Sequence, residues 1–336
     1  MKTRSALVLM LLAGACATDN TVVSMVPALR ETKGMGAEGD AADDPAIWVN
    51  PNDPAKSLIL GTNKDEGLYV YNLAGEELQR MPVGLSNNVD LRGNLAVASN
   101  DGVNALSWFR IDPMTAVVSH VGDTKVARIE PYGICLGAPG GTLQTAVTHK
   151  DGSIDIWNVQ DTGAGPLTIA GVRTIKLGSQ VEGCVIDDAA NRLFVGEEDV
   201  GLWMIDLATD AKTQIDSVNS GSGLVADVEG VTLYAASGGG GYIIVSAQGK
   251  NRYVVYDRAP PFAVRGVFAI GPSADGSVDG TSVTDGLDAS SAALPGLSAG
   301  VLVVQDDANP VSEIDQNFKI VDWREIEAAL TAAKAQ

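Results

Sequence analysis

Three acids stand just before a proline and an apolar run in Asp40-Ala-Ala-Asp-Asp-Pro-Ala-Ile-Trp48. Pro45 fixes its own φ and biases Asp44 toward an extended backbone, so Asp43 and Asp44 cannot both swing into solvent as helical acids would. Acids recur beside short apolar runs at Glu182, Glu197-Glu198-Asp199, Asp227-Val-Glu229, Asp279 to Asp288 and Asp306-Asp307. Carboxylates that return at strand ends point to one acidic mouth. Oxygen donors without His or Cys select hard cations, above all Ca²⁺. Any single acid pair is better read as solvated surface; the shared placement beside the apolar runs favours a cation site. No window has the alternating acids and closing Glu of a helix-loop-helix calcium loop.

What is missing narrows the chemistry. There are just two His, His120 and His149, and around them no His-based phosphatase loop, no two-His zinc helix and no convincing Ser-His-Asp set. No Gly-rich phosphate loop ending in Lys-Ser/Thr occurs. Neither Cys135 nor Cys184 has an Arg six residues on, as a phosphate-cradling thiol loop requires. Carboxylates and cations must carry any catalysis.

The elements that would position these acids are strands. Runs such as SLILGTN, GLYVYNL, NLAVASN, ALSWFRI, SIDIWNV, RLFVGEE, YIIVSAQ and RYVVYDR are short, β-rich and closed by Gly, Asn or Asp. They pair with a shared grammar: compare GTNKDEGLYVYNL, VASNDGVNALSWFRI, AVTHKDGSIDIWNV and VGEEDVGLWMIDL. Units begin near Asp43, Asn88, Tyr132, Glu182, Asp227 and Asp279, a period of about 40 to 50 residues that suits four-stranded propeller blades. The fold class is therefore all-β, a six-bladed β-propeller; a sandwich has no reason to repeat its grammar so often. Trp323 to Lys334 reads as a short C-terminal helix with Ile326, Leu330 and Ala333 on one stripe. The Gly238–Gly241 run precedes a strand and reads as a hairpin turn.

The chain has 336 residues, net charge −19, 38 Gly and 14 Pro. This argues against nucleic acid as a partner, since phosphate backbones need a basic footprint. The opening MKTRSALVLMLLAGAC joins Lys2 and Arg4 to an apolar run and small residues before Cys16. It is an export signal, too short to span a bilayer. Leu-Ala-Gly-Ala-Cys16 is similar to a lipobox, with Ala13 at the usual Leu position. The expected organisation is a lipoprotein-type signal over 1–15, a tether over 16–38, a propeller domain over 39–325 and a tail over 326–336. The only membrane link would be a lipid on Cys16 of an outer-membrane protein facing the periplasm or exterior, with ordinary secretion as the alternative; a monomer is the default. Cys135 and Cys184, in YGICL and EGCVI, could form a disulfide outside the cytoplasm or stay as two buried thiols on neighbouring strands.

The strings DDPAIWVNPNDPAKSLILGTNKDEGLYVYNL, SNNVDLR, EGCVIDD, VGEED, DVEGVTLYAA, GYIIVSAQGKNRYVVYDR, DGTSVTDGLDAS, VVQD and QNFKIVDW, in that order, strongly resemble the β-propeller phytases. The resemblance implies calcium-dependent removal of phosphate from phytate, myo-inositol hexakisphosphate, by attack of a calcium-activated water, as in a 3-phytase. It implies a catalytic calcium cluster of Asp44, Glu182, Glu198, Asp227 and Glu229 with Asp43 close by. It implies phosphate contacts from Lys64 and Lys150 with Tyr132 and Asp151 beside them, and a structural calcium at Asp279 and Asp285.

Electrostatics fits that expectation. A polyanion meets repulsion of about 1 kcal/mol per like-charge pair at a few ångströms even in water, and bound Ca²⁺ reverses the local sign while stabilising charge in the displacement. The sequence also departs from the family. Asp101 and Gly102 follow Asn100 where the family carries a phosphate-gripping Arg, Asp65 follows Lys64, Asp151 replaces a Glu, and Val283 takes a place that is often Asp. Together these make a less basic rim with weaker substrate affinity. Rival readings are a calcium-binding propeller lactonase or esterase, which usually places His near the metal, and a non-catalytic tethered binding propeller.

Overall fold

The computed structural model describes residues 20–36, 39–128, 130–163, 165–311 and 316–333. The expected signal segment, Cys16 and Lys334 lie outside the described residues. Six sheets form six blades. The first blade pairs Ala42–Trp48, Leu58–Asn63, Gly67–Asn72 and Glu77–Met81 antiparallel in chain order. The next five begin at Ser86, Ile134, Val181, Val228 and Leu287. In each, the first strand is innermost and touches the first strands of both neighbouring blades, so six strands line a central channel. Five blades start within two residues of the expected positions. The sixth starts at Leu287 instead of near Asp279, because no strand forms between Gly271 and Leu287.

The core is spread over the seams between blades. Leu58 and Leu60 pack with Val89, Ala98 and Phe109 of the second blade, whereas Ile59 packs with Val303, Phe318 and Ile320 of the sixth. Successive side chains point to opposite faces of a strand. A blade buried on both faces therefore needs unbroken apolar runs, which is why these strands do not alternate with polar residues.

The ring closes through the N-terminal segment. Val23–Pro27 adds in parallel to Val264–Gly271 at the outer edge of the fifth blade. Arg30–Glu31 adds antiparallel to Asn317–Asp322 of the sixth. Much of the stretch expected as a tether over 16–38 is thus part of the propeller, with Val26, Ala28, Thr32 and Met35 buried. An outer strand needs ladder hydrogen bonds and buries only part of its surface, so it carries no long apolar run. The stretch expected as a tail from 326 belongs to a helix, Trp323–Ala333, whose Ile326 and Leu330 are buried with the fifth and sixth blades. Trp323 stacks on Tyr234 at 3.6 Å between ring centres. The Gly238–Gly241 run forms the tight turn between Val228–Ala235 and Gly241–Ala247.

Candidate active site

The acids sit where inner strands leave their ladders. Pairing skips from Ala42 to Pro45, from Ser86 to Val89, from Val181 to Cys184 and from Val228 to Val231. The skipped residues are Asp43-Asp44, Asn87-Asn88, Glu182-Gly183 and Glu229-Gly230. A bulge breaks the alternation of the strand and re-aims its side chains, which brings Asp43, Glu182 and Glu229 to the channel mouth. Close approach between blades is then made possible by glycine. A Cβ on Gly183 would lie 2.0 Å from the Glu229 carbonyl oxygen, and one on Gly286 would lie 2.2 Å from Asp44 Oδ1.

Two carboxylate triads result among the described residues, Asp43 with Glu182 and Asp285, and Glu182 with Glu198 and Glu229. Within each, one oxygen per residue lies within 4.8 Å of the others. Glu182 belongs to both. Both carboxylate oxygens of Asp43, Glu198 Oε1 and Glu229 Oε2 are buried without a hydrogen-bond donor. Burial raises the pKa of Asp43, Glu182 and Asp285, and neighbouring acids add to the effect. Glu229 is pushed up to about 8 by burial and by the charges of Asp285, Glu198 and Asp43. Buried hard oxygens that lack donors and repel one another fit a divalent oxygen-seeking cation such as calcium.

The expected cations converge on the same mouth. Lys64 Nζ lies 3.0 Å from Asp40, 3.4 Å from Asp285 and 3.9 Å from Asp43. Burial opposes its charge, yet these acids more than compensate and its pKa is raised. Tyr132 lies under Lys150, whose Nζ is 4.6 Å from the ring centre. Burial and then the charges of Glu182, Glu229 and Asp43 raise the Tyr132 phenol. Lys150 also acts on Glu198 and Asp101.

Four expected residues are placed differently. Asp44 faces the channel beside Asn88, Asp90 and Asp288, and its Oδ2 accepts from Val89 N–H at 3.1 Å across the seam. Asp227 is exposed, with φ +60°, and reaches the triads through its charge on Glu198. Asp151 turns to Arg128 at 3.3 Å and Lys176 at 3.2 Å, and its carboxyl is held low by the Ser153 N–H and by Lys176. Asp279 parts company with Asp285. It pairs at 2.7 Å with Lys319, a fully buried ammonium that also meets Asp306 at 3.0 Å and bonds Glu31. The structure therefore gives Asp279 and Asp285 different partners instead of one shared cation site. Asp285 joins the mouth.

The acid run at Glu197-Glu198 is divided between two faces. Glu197, next to Glu198, faces away and accepts from Ser179 and the Trp203 indole, as strand alternation requires. Arg128 and the channel acid Asp90 carry no local signal that separates them from solvated charges, and Asp288 stands out only as the end of the acid stretch from Asp279.

The family model described as Phytase matches residues 3–335. The 3-phytase of Bacillus subtilis (strain 168) is 36% identical over 324 residues, covering 90% of this chain and 84% of that protein. Among solved structures, a chain of the Mitotic Checkpoint Complex shares the fold, with a TM-score of 0.55 at 11% identity, over 96% of this chain and 99% of that one. At that identity the likeness concerns architecture alone. A family match over nearly the whole length, joined by a curated relative of such coverage, makes this chain a member of the phytase family.

Proposed function

We propose that the acidic mouth is the active centre of a calcium-dependent 3-phytase, a hydrolase that removes phosphate from phytate. The observation that carries this reading is Glu182, shared by two carboxylate triads in which both oxygens of Asp43, Glu198 Oε1 and Glu229 Oε2 are buried without a donor. Asp43, Glu182, Glu198, Glu229 and Asp285 would hold calcium, with Asp44 and Asp227 at the edges of the set. Asp279 is left out of that set, because Lys319 already supplies its positive charge. Bound calcium supplies the positive charge that attracts phosphate oxygens and stabilises charge developing in the displacement. Lys64 and Lys150 border the mouth and would pair with phosphates of the substrate. Tyr132 supports Lys150 from below and fixes where its ammonium can reach. Asp151 would act through Arg128 and Lys176 rather than on substrate.

We also infer an exported protein, anchored by a lipid on Cys16 or secreted. The bond between Cys135 and Cys184 supports an oxidising compartment.

The test is phosphate release from phytate with calcium and with chelator. Activity should appear with calcium and vanish with chelator. Glu182→Ala and Glu229→Ala should each lower turnover by at least about a hundredfold, against little change in Glu77→Ala. Calcium-dependent cleavage of lactones or esters without phosphate release would favour the rival propeller enzymes. Calcium binding with no turnover of any of these would favour a binding propeller.

A further inference from the structure

Lys64 stands in an unusual place for a substrate-binding lysine. Its ammonium lies between Asp285 and Asp40, with Asp43 at 3.9 Å. Asp43 and Asp285 are two of the three members of one cation-sized carboxylate triad. Asp40 is different: its side chain is three-quarters exposed. The lysine thus touches both the buried triad and the rim. Its side chain is itself about one-quarter exposed, so a short rotation of its flexible stem moves the charge between the two.

We propose that Lys64 is a built-in competitor for the metal, and that loading the Asp43–Glu182–Asp285 triad drives its ammonium outward to the rim, where it becomes available to a substrate phosphate. This rests on the proposed reading of the mouth as a calcium-dependent phosphate-binding centre. The physical ground is that one set of carboxylates serves two cations. A divalent ion within reach of Asp43 and Asp285 repels an ammonium only a few ångströms away, and removes the negative charge that held it. Asp40 then remains as the lysine's partner, and Asp40 is on the surface. Metal and lysine are coupled through shared ligands, so each weakens the other's hold on the triad by the same factor. Calcium would accordingly do two things for substrate binding. It adds positive charge of its own, and it releases a charge that the acids otherwise sequester.

The prediction has opposite signs in two conditions. Lys64→Met keeps an unbranched apolar stem of nearly the same length and removes its charge. In chelator it should melt below the parent chain, because Asp43 and Asp285 lose their counter-charge. In calcium the difference should shrink or reverse, and calorimetric titration without substrate should show calcium binding about five- to tenfold tighter. KM for phytate at saturating calcium should rise, since the released charge is gone. Lys64→Gln, a polar neutral side chain, provides the same comparison should the Met variant fold poorly. Lys33→Met, which removes a lysine paired with Glu77 away from the mouth, should leave calcium affinity unchanged. A purely structural lysine would lower the melting point equally in chelator and in calcium, and that result overturns the proposal. So does unchanged or weaker calcium binding in both folded Lys64 variants. If the parent chain itself neither binds calcium nor is stabilised by it, the reading of the mouth as a metal centre fails, and the inference falls with it.

Discussion

At the scale of single residues, the mouth is governed by charge that burial makes expensive. Glu229 is pushed up to about 8 and Asp288 to about 7, burial being the largest cause for both. Between the ordinary carboxylate range near 4 and these raised values, the folded chain holds protons that the unfolded chain has released. Stability then falls as pH rises across that interval. In chelator, the melting point should drop between about pH 5 and pH 8 by at least about 3 °C, and calcium should flatten the slope by neutralising the mouth. A melting point that rises with pH in chelator would refute this. Asp101 offers a second test. It accepts from Asn87 at 3.0 Å and its charge acts on Lys150, which places it at the rim of the mouth. Asp101→Arg should lower KM for phytate about three- to tenfold with little change in kcat, as expected for a contact made equally with substrate and transition state. The gain should shrink at high salt.

Strands and seams decide how such residues meet. The bulge at the start of four inner strands turns a sequence pair such as Asp43-Asp44 into one residue for the mouth and one for the neighbouring blade. Asp44, Asp90 and Asp288 each accept an inner-strand N–H of the next blade, from Val89, Leu136 and Ile47 respectively. The third and fourth blades carry a covalent tie as well, Cys135 to Cys184, two residues beyond Glu182. Replacing both by Ser should cost about 2–4 kcal/mol in denaturant unfolding, and reductant should then have no further effect on that variant. These seams also explain what the sequence could reveal. Strand runs and acid clusters were legible because a blade is a local unit whose pattern repeats. The choice between disulfide and thiols was open, because it depends on two inner strands separated by 49 positions in the chain. The pairing of Asp279 with Lys319 was hidden for the same reason: the lysine comes from an apolar strand, NFKIVD, that gives no sign of a buried cation.

On the scale of the whole molecule, the ring has no single core, and each blade is stabilised by the two beside it. Losing the closing strands should therefore be felt well beyond the edge. A chain lacking residues 20–32 should melt at least about 5 °C lower and show weaker calcium stabilisation, because Asp43 follows closely on the missing segment. An unaltered melting curve would mean that Val23–Pro27 and Arg30–Glu31 merely decorate the outer edge. Closure has a further consequence, in time rather than space. Arg30 pairs with Ile320, so a strand made before the first blade must wait for a partner made with the sixth. Until then five blades can form, but the sixth stays open along its outer side, and the Glu31–Lys319 contact cannot be made. Long-range pairing of this kind slows folding. That delay has an order built into it: the native ring cannot lock before the sixth blade has been completed.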